Sequence, residues 1–113
     1  MKEIKAIIQP SVLDAVINAL KLIPELPGIT VSEVKGFGRS HAAEATDKVS
    51  LGANVYAKKI KLEIVVPDEL LDRTLQAIVA NAHRGTPGDG KIFVSTIDDV
   101  IKVRTGEHGN EAI

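Results

Sequence analysis

Hydrophobic and polar positions alternate in two different periods along this chain, and the change of period marks its elements. "KEIKAIIQ" (2–9) is β-rich and ends at Pro10. "SVLDAVINALKLI" (11–23) then places Leu13, Val16 or Ile17, Leu20 and Ile23 at helical spacing, which predicts an amphipathic helix. Ser11 with Asp14 has the form of a capping box, and Pro24, Pro27 and Gly28 close the helix. "ITVSEVKGFGR" (29–39) reads as a second strand. "KKIKLEIVVP" (58–67) alternates cleanly, with Ile60, Leu62 and Ile64 on one side and Lys59, Lys61 and Glu63 on the other. After Pro67, "DELLDRTLQAIVANAH" carries Leu71, Leu75, Ile78 and Ala82 down one helical face. "KIFVSTI" (91–97) is a fourth strand; a turn at "DDV" and a short last strand, "IKVRT" (101–105), complete the pattern.

The order is βαββαβ, and "AIIQPSVLDAV" echoes "EIVVPDELLDR" as strand, proline, helix. That repeat predicts an α+β, ferredoxin-like sandwich with an antiparallel sheet and both helices on one face. The other face would mix Lys59, Lys61 and Glu63 with apolar residues of the first two strands. Symmetric self-association is expected to cover part of it.

Length and composition narrow the rest. The 113 residues make one domain with a single modest core. A formal net charge of −1 and 3% aromatic residues leave neither a basic stripe nor stacking platforms, which argues against nucleic acid as a partner. The chain has no cysteine, so disulfide and thiolate chemistry are excluded. No apolar run approaches membrane-spanning length and the start is too charged for a signal peptide, so a cytoplasmic protein without membrane insertion is expected.

Two segments fall outside the strand and helix rhythm. The connection "SHAAEATDKVSLGANVYA" (40–57) is far longer than a hairpin turn and too small and polar to form a core, and reads as an arm that orders on a partner or as a solvated loop. "HRGTPGDGKIFV" (83–94) satisfies G-x-x-x-x-G-K over 85–91, yet Ile92 stands where a P-loop needs Ser or Thr. It also follows a helix and opens a strand, the reverse of a P-loop. What remains is a glycine-rich connection whose N–H groups can converge on an anion, beside Lys91 as a point charge. Arg39, Lys102 and Arg104 are further cations suited to a di- or triphosphate; the alternative is a set of solvated surface charges.

With these residues in view, "TVSEVKGFGR" (30–39), "KIKLEIVVPDEL" (59–70), "GDGKIFV" (88–94) and "RTGEHGNEAI" (104–113) resemble the PII family of nitrogen-regulatory signal-transduction proteins. The resemblance implies a homotrimer binding ATP or ADP between subunits, with 83–91 as a B-loop, 104–113 as a C-terminal loop, and the arm as a T-loop acting on a regulated partner. That partner would be a transporter, an enzyme or a transcription regulator, the transporter being an ammonium channel or a metal-efflux pump. Gly28 and Thr30 with Glu63, Ile64 and Val65 would frame adenine and ribose. Gly88, Asp89, Gly90 and Lys91 would wrap the phosphates with Arg104, Lys102 in place of the family's arginine, and Arg39 of a neighbouring subunit. Gly36 and Gly38 belong to the same "GFG" approach, and magnesium would accompany ATP.

The arm departs from the family pattern. Gly52 occupies the place of the commonly modified tyrosine, and Ser40 replaces the glutamine that helps hold magnesium and 2-oxoglutarate, although Lys59 is retained. The 2-oxoglutarate site is therefore doubtful. Its "Y-x-K-K" ending (56–59) resembles a branch associated with heavy-metal efflux pumps. His41, His83 and His108 stand at no metal-ligating spacing. No nucleophile, base and acid are arranged for catalysis, and Asp98–Asp99 reads as turn chemistry. The expected function is a non-enzymatic nucleotide-sensing regulator; a slow nucleotide hydrolase or small-molecule enzyme in the same cleft, and an assembly module that binds nothing, are the alternatives.

Overall fold

The computed structural model describes residues 1–37, 48–51 and 54–113. Its elements are β1 (Lys2–Ile8), α1 (Leu13–Leu20), β2 (Thr30–Gly36), β3 (Lys48–Leu51), β4 (Asn54–Val66), α2 (Leu71–Ala82) and β5 (Gly90–Thr96). The strands form an antiparallel sheet in the order β2-β4-β1-β5, and β3 pairs with the start of β4. This is the ferredoxin-like α+β arrangement that the repeat predicts.

Register turns the alternation into a core. Ile4 lies opposite Ile64, Ala6 opposite Leu62 and Ile8 opposite Ile60, and all six are buried. Val12, Val16, Leu20 and Ile23 from the α1 region, with Ile78 and Ala82 of α2, close over them. Burying a side chain of this size stabilises by roughly 1.5–3 kcal/mol, so the even-numbered positions of β1 and β4 fix the register. Thr74 is also fully buried on α2; its hydroxyl donates to the Leu70 carbonyl at 2.7 Å, which satisfies it inside the helix. The opposite face carries Lys5, Ile7, Lys61, Glu63 and Phe93, with Phe93 55% exposed and Lys61 Nζ 3.6 Å from Glu63 Oε1. Ser32, across from Lys61, has a buried hydroxyl with no hydrogen-bond partner among the described residues.

Three expectations are corrected. The Ser11–Asp14 capping box does not form: Pro10–Val12 make a 3-10 turn, Val12 is the N-cap of α1, and neither start has a side-chain cap. Proline at the first position takes Ser11 into the turn instead of leaving it at the helix entrance. The strand expected to begin at Lys58 begins at Asn54, so the root of the 40–57 arm already belongs to the sheet and pairs with β3. Finally, "IKVRT" is not a strand. Ile101 makes one bridge to His108, and the chain between them doubles back as a hook, with Gly106 at φ 76° donating to the Lys102 carbonyl at 2.7 Å. Gly38, Arg39 and Ser40 lie outside the described residues, as do His41 and Gly52.

Candidate functional site

The glycine loop is organised by one carboxylate. Asp89 Oδ2 accepts the N–H groups of Arg84 and Gly85 at 2.8 Å and of Thr86 at 3.4 Å, while Oδ1 accepts the Thr86 hydroxyl at 2.9 Å. The Arg84 amide foremost, then Thr86 and Gly85, hold the Asp89 carboxyl at a pKa of about 2. Its side chain is thus occupied by the loop. Asp89 shapes the turn, and its side-chain oxygens face donors of its own chain.

Two further contacts tie that turn to the sheet. Lys59 Nζ on β4 donates to the Gly88 carbonyl at 2.7 Å, and Gln9 Nε2 lies 3.4 Å from Thr86 Oγ1. Gly90 has φ 109°, and a Cβ there would stand 1.8 Å from the Ile7 carbonyl oxygen, so only glycine lets β5 begin against β1. Gly36 adjoins this end of the sheet, since a Cβ on it would lie 3.6 Å from Lys59 Cγ. Lys91 is exposed on the next position of β5.

At the other end of the same strands lies a cleft of about 350 Å³. Gly28, Thr30, Glu63 and Val65 line it, together with Glu3 and Pro27. Thr30 pairs with Glu63 as the first residue of β2, so β4 continues past it with an edge that β2 does not cover. Ile64, expected beside these residues, points into the core at 1% exposure and offers only its backbone. Val100, Ala112 and Ile113 complete the wall. Sequence reasoning missed these three because it took the hook for a strand. Glu3 was missed because only the register of β1 on β4 brings it near Val65. A hollow of about 480 Å³ on the outer side of α2 is larger, but Leu75, Gln76, Val79 and Ala80 give it no charged group, so we place the candidate site at the smaller cleft.

The cations divide between these two ends. β5 runs the length of the sheet from Gly90, opposite Ile8, to Thr96, opposite Lys2. Lys91 therefore stands at the glycine-loop end with Lys59, whereas Lys102 and Arg104 follow Val100 at the cleft end. Because the segment after Val100 is a hook and not a strand, Lys102 and Arg104 do not stand on a strand beside Lys91. Among the described residues, Lys91, Lys102 and Arg104 make no ion pair. Lys59 and Glu63, four residues apart on one face of β4, are separated by about 13 Å. One end of each chain can thus frame a flat polar ring and the other can meet an anion with backbone N–H groups and an ammonium.

Comparison with known proteins adds a second line of observation. Residues 1–107 match the family described as "Nitrogen regulatory protein P-II". Proteins of that name are similar over the full length of both chains: 46% identical in Bradyrhizobium diazoefficiens, 43% in Azospirillum brasilense and 42% in Haemophilus influenzae, each over 113 residues.

Proposed function

The chain belongs to the nitrogen regulatory protein P-II family of signal-transduction regulators, which are not enzymes, and from that premise we propose that it is a nucleotide-sensing homotrimer. It binds ATP or ADP between subunits, acts in the cytoplasm and controls a partner protein through the 40–57 arm. A membrane transporter, as an ammonium channel or a metal-efflux pump, is the partner class we favour. No helix of the described residues is long and apolar enough to cross a membrane, so such a transporter would be met from outside the bilayer.

The observation that carries this reading is the division of the site. The cleft that suits a base and the loop that suits phosphates lie at opposite ends of β1 and β4 in one chain. A single nucleotide therefore draws them together most simply from two copies, the cleft, Lys102 and Arg104 of one facing the glycine loop and Lys91 of the next. The open face of the sheet supports association as well. The exposed Phe93 is what a covered face leaves behind when its neighbour is removed.

Within that cleft, the Gly88–Lys91 backbone, Lys91, Lys102 and Arg104 would hold the phosphates and Glu63 the ribose or base. Magnesium would neutralise phosphate charge when bound. 2-Oxoglutarate is expected to add little, because Ser40 is too short to replace glutamine at a magnesium ion and Lys59 already serves the Gly88 carbonyl.

Subunit mixing tests the division directly. Lys91→Ala and Arg104→Ala should each weaken ATP binding by about 1.5–3 kcal/mol in calorimetry, the worth of a charge-assisted hydrogen bond. Co-assembled, the two variants should regain wild-type affinity at one cleft per mixed trimer, since one interface then pairs an intact loop with an intact hook. Binding that never returns on mixing would place the whole site within one chain and overturn the proposal.

A further inference from the structure

One carboxylate stands apart from the groups assigned so far. Asp99, just beyond β5, accepts the Val100 N–H at 2.9 Å and the Gly109 N–H at 3.2 Å through Oδ1, and its Oδ2 lies 2.6 Å from His108 Nδ1. Gly109 N–H is shared with the Val100 carbonyl at 3.0 Å. These contacts clamp the two arms of the hook together at its base. Val100 on one arm lines the cleft, and so do Ala112 and Ile113, which belong to or follow the short turn Gly109–Ala112 opened by the clamped glycine.

We infer that Asp99, with His108 held against it, is the positioning residue of the base cleft: it sets where Val100, Ala112 and Ile113 stand, and through them the affinity for an adenine nucleoside, without touching the ligand. This rests on the nucleotide reading given above. The tip of the hook is secured separately. Lys102 N–H donates to the Glu107 carbonyl at 2.9 Å, Gly106 N–H to the Lys102 carbonyl at 2.7 Å, and the Thr105 hydroxyl to Glu107 Oε1 at 2.8 Å. None of these bonds involves Asp99. Its removal releases the wall of the cleft while Lys102 and Arg104 keep their turn, so the loss of affinity is the same whatever the number of phosphates.

Adenosine, ADP and ATP titrated into wild-type and Asp99→Ala protein by calorimetry provide the test, alongside amide hydrogen exchange at Val100 and Gly109 without ligand. The expected result is faster exchange at both amides, an unchanged oligomeric mass, and an affinity loss of about tenfold that is equal for the three ligands. His108→Ala should give a smaller loss with the same uniform pattern. It also serves if Asp99→Ala does not assemble, because the imidazole is 61% exposed and its removal leaves the Val100 and Gly109 bonds in place. Unchanged affinity in both variants, or a loss that grows from adenosine to ATP, overturns the inference and leaves the nucleotide reading standing. Wild-type protein that binds none of the three overturns the nucleotide reading and this inference with it.

Discussion

The glycine loop and the C-terminal hook are both irregular segments governed by a single aspartate, yet they are built on different scales. Asp89 gathers the amides of residues three to five positions behind it, so its turn closes locally. Asp99 reaches the amide of Gly109, ten positions ahead, so its contacts join the two ends of a longer excursion. The glycines differ in the same sense. Gly90 is required by a neighbouring strand, because a Cβ would strike the Ile7 carbonyl; Gly106 also has a positive φ, but a Cβ there would meet nothing within 4 Å. A loop pressed against the sheet tolerates no added atom, whereas a hook in solvent asks only for a backbone angle.

The sharpest way to break this comparison is Gly90→Ala. The added methyl must displace β5 from β1, and a loss of more than about 3 kcal/mol in denaturant unfolding is expected, with a lowered yield of assembled protein. A variant as stable as wild type would mean that the β1–β5 contact is looser than the structure places it.

Acid should loosen the loop next. A carboxyl whose folded pKa lies below its unfolded value of about 3.9 contributes stability that is present above that value and is lost as pH falls through the folded one. For Asp89 the window runs from about 4 down to about 2, so protection of the Arg84 and Gly85 amides relative to their intrinsic exchange rate should hold at pH 5 and fall toward pH 2. Asp89→Ala should remove that transition and expose the same amides at neutral pH. A transition that survives in Asp89→Ala would show that another group holds the loop.

Gly106→Ala carries the smallest effect, about 1–2 kcal/mol from the left-handed backbone alone. Because no atom obstructs the methyl, the turn should persist, and nucleotide affinity should change less than with Arg104→Ala. An effect as large as that of Gly90→Ala would put the hook in the same packed class as the loop.

The contrast of scales also explains what could be read beforehand. Strict alternation at Ile60, Leu62 and Ile64 is dictated by burial of one face, so β4 and its facing partner β1 were legible, and with them the sandwich. The glycine loop was legible as a turn, because its glycines and proline are clustered. Its inward-facing Asp89 was not, since a carboxylate beside glycines reads equally as a ligand or as a cap. "IKVRT" misled because alternating β-branched residues favour a strand only when a neighbouring edge is there to pair with. Here the described residues give one bridge, Ile101 to His108, and the deciding contact, Asp99 to Gly109, depends on a distant residue. The cleft wall formed by Val100, Ala112 and Ile113 was invisible for the same reason.

β4 spans 13 residues, and along it stand the root of the arm, Lys59 beneath the glycine loop, and Glu63 and Val65 at the cleft. This gives the chain an uneven tolerance for insertion and deletion. Pairing of β4 with β1 and β2 downstream of Ala57 is set by the buried side chains and not by the length of the chain that precedes it. A single residue gained within 57–62 would exchange inside for outside at every later position and carry Glu63 into the core. The strand is thus indifferent to the length of what precedes it and exacting about its own.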